Sequence, residues 1–290
     1  PYGSENPAVP RKNYDDINPK FAKYFAKYMD KIGSLYWSKE VFDNSYPGYG
    51  SSYPDMHGGL GLVFETASSR GHIQSSQRGD ITFAFTIRNH VVNSLATMEA
   101  ALDNRVYMHE YLREFFTGAV AEGSKDLVKN YVFGDETDPS RNRLFLQFLL
   151  DHKIKVYENT ADLSAAGQSF KKGSSWVVPT KQPQYRMVRT MFEYVTTFAD
   201  SVFYDASAWT MAAAYGMPFS AAPTAKVGTE LKEVTLATHT FPQGDAYAYL
   251  IDWRDYYAPK LLFELQKAGV HVEAIHQNFS SQTQDGKVDF

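Results

Sequence analysis

After Gly123 the chain passes repeatedly from a short apolar run to a helix opened near a proline and back to an apolar run. Tyr131 to Phe133 leads through Asp138-Pro139 and a helical stretch marked by Leu144, Phe148 and Leu149 to Ile154 to Tyr157. Trp176-Val177-Val178 leads past Pro183 and Phe192 to Val202 to Tyr204. Tyr247 to Ile251 leads through Pro259 to Ala268, with Gly269 as the stop, to Val270 to Ile275. Alternation of this kind predicts βαβ units, in which a helical crossover returns the chain to run parallel to the strand it left. Residues 123–290 therefore read as an α/β domain with a mostly parallel sheet, ending in a polar turn near Asn278 that enters a strand cut short. The units share architecture rather than sequence, and Ala206 to Gln243, rich in Ala, Thr, Pro and Gly, predicts no clear element.

Residues 1–122 follow a different pattern. Asn18 is placed to cap a helix, Pro19 sits where its missing N–H costs nothing, and Phe21, Tyr24, Phe25, Tyr28 and Ile32 recur at helical spacing up to Gly33. Ser45 to Gly59, dense in Gly, Pro, Ser and Tyr, predicts a long ordered loop, the kind of segment that carries function. Leu60 to Phe64 reads as a short buried strand ending on Glu65. Ile81 to Ile87 reads as a second extended segment, and Asn89 to Phe116 as more than one helix, with Asn89 as a cap.

Composition narrows the function classes. A length of 290 residues favours two domains. A net charge of −4 with Lys and Arg scattered singly leaves no basic surplus for a phosphate backbone, so no nucleic-acid partner is expected. The absence of cysteine removes disulfides, thiolate metal ligands and thiol nucleophiles together. The longest apolar runs fall well short of the roughly 20 residues of a membrane helix, so no membrane span is expected. With Pro1 in place of Met and no charged-then-apolar leader, the chain reads as a piece of something longer.

The strongest candidate for chemistry is Glu65, because the carboxyl ends of strands are where α/β sheets place their active crevices. A carboxylate there can act as a general base, or it can simply pair with Arg70 or accept loop N–H groups. The block FDNSYPGYGSSYPDMHGGLGLVFETASSRGH resembles the carboxyl-terminal half of the catalytic domain of zinc carboxypeptidases, in which a substrate-capping tyrosine precedes a strand ending in Phe-Glu. Phe64-Glu65 matches that strand end, and Tyr46 or Tyr49 stands in the loop before it. The run Phe64 to His72, with KGSSWVVPTKQPQYRMVRTMFE, FYDASAW and DYYAPKLLFELQKAG, resembles the large multidomain subgroup of that family.

The resemblance implies a partial carboxypeptidase-like α/β/α sandwich over 1–122, followed over 123–290 by a class I glutamine amidotransferase-like or flavodoxin-like domain. It implies Glu65 as general base and acid, Tyr46, Tyr49 and Arg70 as substrate contacts, and a peptide with a free C-terminus as substrate. It implies a secreted or periplasmic protein with zinc as cofactor of the complete molecule. The chain departs from the family in one respect: none of its eight histidines has a glutamate three residues on, so the family's His-x-x-Glu zinc pair is missing and no metal ligand is assigned here. The amidotransferase-like part lacks a cysteine nucleophile, which leaves it a binding or structural role. Two readings follow: part of a zinc-dependent metallocarboxypeptidase whose zinc ligands lie outside this chain, or a catalytically inactive peptide- or glycan-binding protein of the same fold.

Overall fold

A computed structural model describes residues 5–37, 44–67, 69–196, 210–235, 246–283 and 286–289. A π-helical turn, Asn13–Ile17, runs directly into α1, Asn18–Lys31. Asn18 therefore sits within the helical run instead of capping it, and its side-chain amide turns back to the Asn13 carbonyl at 3.1 Å. Pro19 occupies the first turn of α1, and Gly33 ends the helical stretch at φ +64, a conformation that a Cβ would strain.

Ile73–Ser76 (β1) and Gly79–Thr82 (β2) form an antiparallel hairpin. The extended segment expected over Ile81 to Ile87 ends at Thr82, whose hydroxyl accepts the N–H of Phe85 (3.2 Å) and opens α2, Phe83–Asp103. A strong N-cap thus converts a run with strand-like alternation into helix. Asn89, expected as a cap, is buried inside α2 and donates to Ser34 Oγ at 3.0 Å. Through the single residue Asn104, α2 passes into α3, Arg105–Lys125. Helix α1 lies along this pair: Tyr24 donates to Asp103 (3.0 Å) and Lys27 pairs with Glu99 (2.7 Å) around a core of Ile17, Phe21, Ala100, Tyr111 and Phe115.

The rest of the chain supplies Asn130–Phe133 (β3), Pro139–Asp151 (α4), Val156–Asn159 (β4), Leu163–Ala165 (β5), Gln168–Phe170 (β6), Trp176–Pro179 (β7) and Tyr185–Phe192 (α5). Met211–Ala214 (α6), Phe219–Ala221 (β8) and Val227–Leu231 (β9) follow, then Ala258–Lys267 (α7) and the hairpin Ser280–Thr283 (β10) and Gly286–Asp289 (β11). The main sheet has the order β8-β3-β7-β4-β9, and every adjacent pair is antiparallel. The mostly parallel sheet expected from the βαβ pattern is therefore incorrect: the chain is mixed α/β with antiparallel sheets.

The reason lies in one inserted strand. Strand β7 occupies the slot between β3 and β4 and is antiparallel to both, so the two strands joined by α4 do run the same way but never pair. Likewise β7 and β8, joined through α5, run the same way with β3 between them. A strand–helix–strand pattern fixes the direction of return, not which strand fills the gap. Of the third expected unit only the helix forms: α7 carries Pro259 in its first turn and is followed by Gly269 at φ +75, while Tyr247 to Ile251 and Val270 to Ile275 are irregular. Val202 to Tyr204 and FYDASAW lie outside the described residues.

Alternation along β3 sends its side chains to two cores. Tyr131 and Phe133 face Phe145 and Leu149 of α4 and Met187, Val188, Met191 and Phe192 of α5, and Val9, Tyr14 and Met56 join this cluster from the first part of the chain. Val132 faces the other way, against Phe170 and Ala222 beneath the β5–β6 hairpin. Full burial of such side chains stabilises by about 1.5–3 kcal/mol each.

Candidate functional site

The loop from Ser45 to Gly59 is ordered by its own backbone. Tyr53 N–H donates to the Tyr49 carbonyl (2.8 Å), Met56 to Ser52 (3.1 Å) and Gly59 to Pro54 (2.9 Å), and Asp55–His57 close a 3-10 turn. Gly61 packs so tightly on this turn that a Cβ would stand 1.7 Å from the Ser51 carbonyl oxygen, which only glycine permits. Tyr46 and Tyr49 are half-buried and meet edge to face at 5.1 Å. Tyr53 stacks its edge on His57 (4.5 Å) and His152 (5.7 Å), and His152 packs on Phe148 of α4 (4.5 Å). The tyrosine-rich loop is thereby joined to the second part of the chain.

Beyond Gly61 the chain forms no strand among the described residues, against the expectation for Leu60 to Phe64. It keeps a strand's alternation all the same. Leu60 and Leu62 pack on the core around Phe115, Phe64 meets Phe25 edge to face at 4.8 Å, and Val63 and Glu65 point out to solvent. Glu65 makes no hydrogen bond or ion pair with any described residue, so the pairing with Arg70 weighed from sequence is not formed. Arg70 is likewise exposed. No hydrogen bond, ion pair or ring contact among the described residues brings Glu65 together with Tyr46, Tyr49 or Arg70.

The buried chemistry sits one turn earlier, at residues that sequence reasoning passed over. Asp55 is 1% exposed; its Oδ1 accepts the Gly61 N–H (2.8 Å) and the Asn13 side-chain amide (3.2 Å), while Oδ2 has no partner among the described residues. Burial pushes its carboxyl up to about 7 from 3.8, against the pull of those two donors. The hydroxyls of Tyr14 and Tyr111 are also buried, that of Tyr14 without a partner, and burial raises both, with the Asp55 charge adding to the effect. His57 Nε2 is buried and unpartnered as well, and burial, then the neighbouring His152, holds its imidazole below the ordinary value. His152 Nδ1 lies 2.7 Å from the Phe148 carbonyl, to which it donates.

In the sequence, Asp55 and His57 showed only as part of a Pro-Asp-Met-His-Gly-Gly turn, and nothing in the spacing brought His152 to them. Among the described residues no three His, Cys, Asp or Glu side chains come together as a metal cage. A shallow depression of about 610 Å³ lies at the start of α4, lined by Glu136, Thr137, Pro139, Asp252, Arg254 and Asp255. Among the described residues no helix is long and apolar enough to cross a membrane. No family model, no curated protein and no solved structure matches this chain.

Proposed function

We propose that this chain is part of a zinc-dependent metallocarboxypeptidase, with Glu65 as its proton shuttle and with the zinc ligands held outside these residues. The observation that carries the reading is the burial alternation of the run from Leu60 to Glu65. The apolar side of the run is fixed on the core around Phe115 and Phe25, and Leu62 to Glu65 have no backbone ladder partner among the described residues. Backbone whose N–H and C=O groups lack partners can take on an added strand, and here such a run carries the exposed carboxylate at its far end. In this reading Glu65 takes a proton from the attacking water and returns it to the leaving amine at the C-terminal peptide bond of the substrate. Tyr46, Tyr49 and Arg70 border the bound C-terminal residue.

The test uses the polypeptide that holds both this chain and the zinc ligands, assayed on a peptide with a free C-terminus and on the same peptide amidated. Glu65→Gln is expected to lower turnover by about 10² to 10⁴ with zinc content unchanged. Turnover within a few-fold of the parent would remove the proton-shuttle role.

A second reading, a binding protein for peptide or glycan, draws on a different place. Trp253 and Tyr256 are exposed in the same segment as Asp252, Arg254 and Asp255 of the depression beside α4, and aromatic rings beside carboxylates suit a sugar face with its hydroxyls. Saturable binding of an oligosaccharide that Trp253→Ala abolishes, with no hydrolysis by the zinc-complete polypeptide, would favour it.

A further inference from the structure

Helix α2 is built inside out. The face turned towards the body of the protein consists of Asn89, Asn93, Ala96 and Ala100, all buried, while Phe83, Ile87, Val91, Leu95, Met98 and Leu102 are 46% to 67% exposed. At 100° per residue these six fall on one stripe opposite the buried face and run the whole helix, about 30 Å. A contiguous apolar stripe of this length on a soluble surface marks an interaction site rather than scattered exposure.

We infer that this stripe is the interface of a homodimer in which α2 packs antiparallel against α2 of a second copy. Two features of the helix favour a second copy. The first is self-complementarity. A two-fold axis beside the helix midpoint, between Asn93 and Ser94, sets each residue opposite the one as far beyond the axis as it lies before it. Ile87 then falls between the partner's Met98 and Leu102, and Val91 between the partner's Leu95 and Met98. Leu95 falls between the partner's Val91 and the partner's Leu95. Every large side chain meets a gap, which is the condition for knobs entering holes. The second is charge. Arg88 and Glu99 are eleven residues apart, about three turns, on the same flank of the stripe, and the same axis places Arg88 beside the partner's Glu99 and Glu99 beside the partner's Arg88. Glu99 is already anchored by Lys27 and Tyr28, so it is held in place for the added cation. Such an isologous contact closes on itself and stops at two. This inference is independent of the role of Glu65.

The full chain is expected to show twice its 32.8 kDa mass by light scattering at micromolar concentration. Leu95→Glu is expected to shift it to the single-chain mass with its circular dichroism unchanged, because Leu95 is exposed on the fold. Because the chain has no cysteine, single introduced thiols report the geometry. Ser94→Cys, beside the axis, is expected to cross-link two copies on mild oxidation. Ala84→Cys is expected not to, since the two copies of residue 84 stand about 28 Å apart along an antiparallel pair. A single-chain mass at 100 µM, open-ended aggregation, or equal cross-linking at the two positions would each overturn the proposal.

Discussion

Replacing Asp55 with Asn tests the buried site directly, because the substitution keeps the shape and one acceptor oxygen while removing the charge. A carboxyl raised from 3.8 to about 7 binds its proton more tightly in the folded than in the unfolded chain. Its effect on stability is therefore most favourable below pH 3.8 and is lost as the pH rises through 7. The span between the two values, at 1.36 kcal/mol per pH unit, amounts to about 4 kcal/mol at pH 8, of which about 2.5 kcal/mol develops between pH 5 and pH 8. Urea unfolding of parent and Asp55→Asn at the two pH values isolates this, since every other titrating group is common to both proteins. Asp55→Asn is expected to gain about 2.5 kcal/mol on the parent between pH 5 and pH 8, whatever constant offset the new amide brings. A difference between the two proteins that is the same at pH 5 and pH 8 would refute the reasoning, and with it the claim that the carboxyl is held dry beside Tyr14 and Tyr111.

His57 works in the opposite sense: its imidazole is held below its ordinary value, so the unfolded chain takes up the proton first and stability falls as the pH drops below about 6.5. His57→Gln is expected to flatten that acid limb in the same urea titration. Gly61→Ala must displace the Ser51 carbonyl, 1.7 Å from the new Cβ, and is expected to cost about 3 kcal/mol or more, whereas Gly50→Ala meets nothing within 4 Å and serves as the control. Arg186 is buried, donates to the Phe115 carbonyl, pairs with Glu122 at 2.6 Å and lies 4.4 Å from the Phe115 ring. Arg186→Met is expected to cost about 2 kcal/mol in chemical unfolding by stranding that carbonyl, while Glu122→Gln, on a half-exposed partner, is expected to change stability by less than about 1 kcal/mol.

What the sequence made legible was local. Asp138-Pro139 caps and opens α4 as expected, with the Asp138 carboxylate accepting the Arg141 N–H at 2.8 Å, and the apolar runs Tyr131 to Phe133 and Trp176 to Val178 are strands. These depend on capping and alternation, which neighbouring residues decide. The pairing of the sheet was not legible, because the choice of β7 for the slot between β3 and β4 is made by packing among residues far apart in the chain. The same limit hid Asp55. Its carboxyl is raised by burial, against the pull of the Asn13 and Gly61 donors that close over it from six or more residues away, and a short polar turn carries no mark of that burial. Ile81 to Ile87 was misjudged for a related reason: its alternation is real, but Thr82 caps a helix whose apolar stripe faces outward, so periodicity and burial disagree.

Two features among the described residues, the outward stripe of α2 and the unpaired run from Leu62 to Glu65, both lie in the first part of the chain. The main sheet of the second part, by contrast, is covered by α4 and α5 on one face and contacted by the β5–β6 hairpin on the other. Excluding bulk water strengthens the electrostatics around a carboxylate that shuttles protons, and pairing of its run with an added strand is a direct way to achieve that. Backbone exchange therefore bears on the proposed activity without an assay. In the chain alone the amides of Leu62, Val63, Phe64 and Glu65 have no acceptor among the described residues and are expected to exchange far faster than those of Tyr131 and Phe133 within β3. In the zinc-complete polypeptide alternate amides of that run are expected to slow by orders of magnitude as a ladder forms. Strong protection in the chain alone would mean that the strand is already paired, and no protection in the complete polypeptide would mean that nothing adds to it; either result removes the structural support for Glu65.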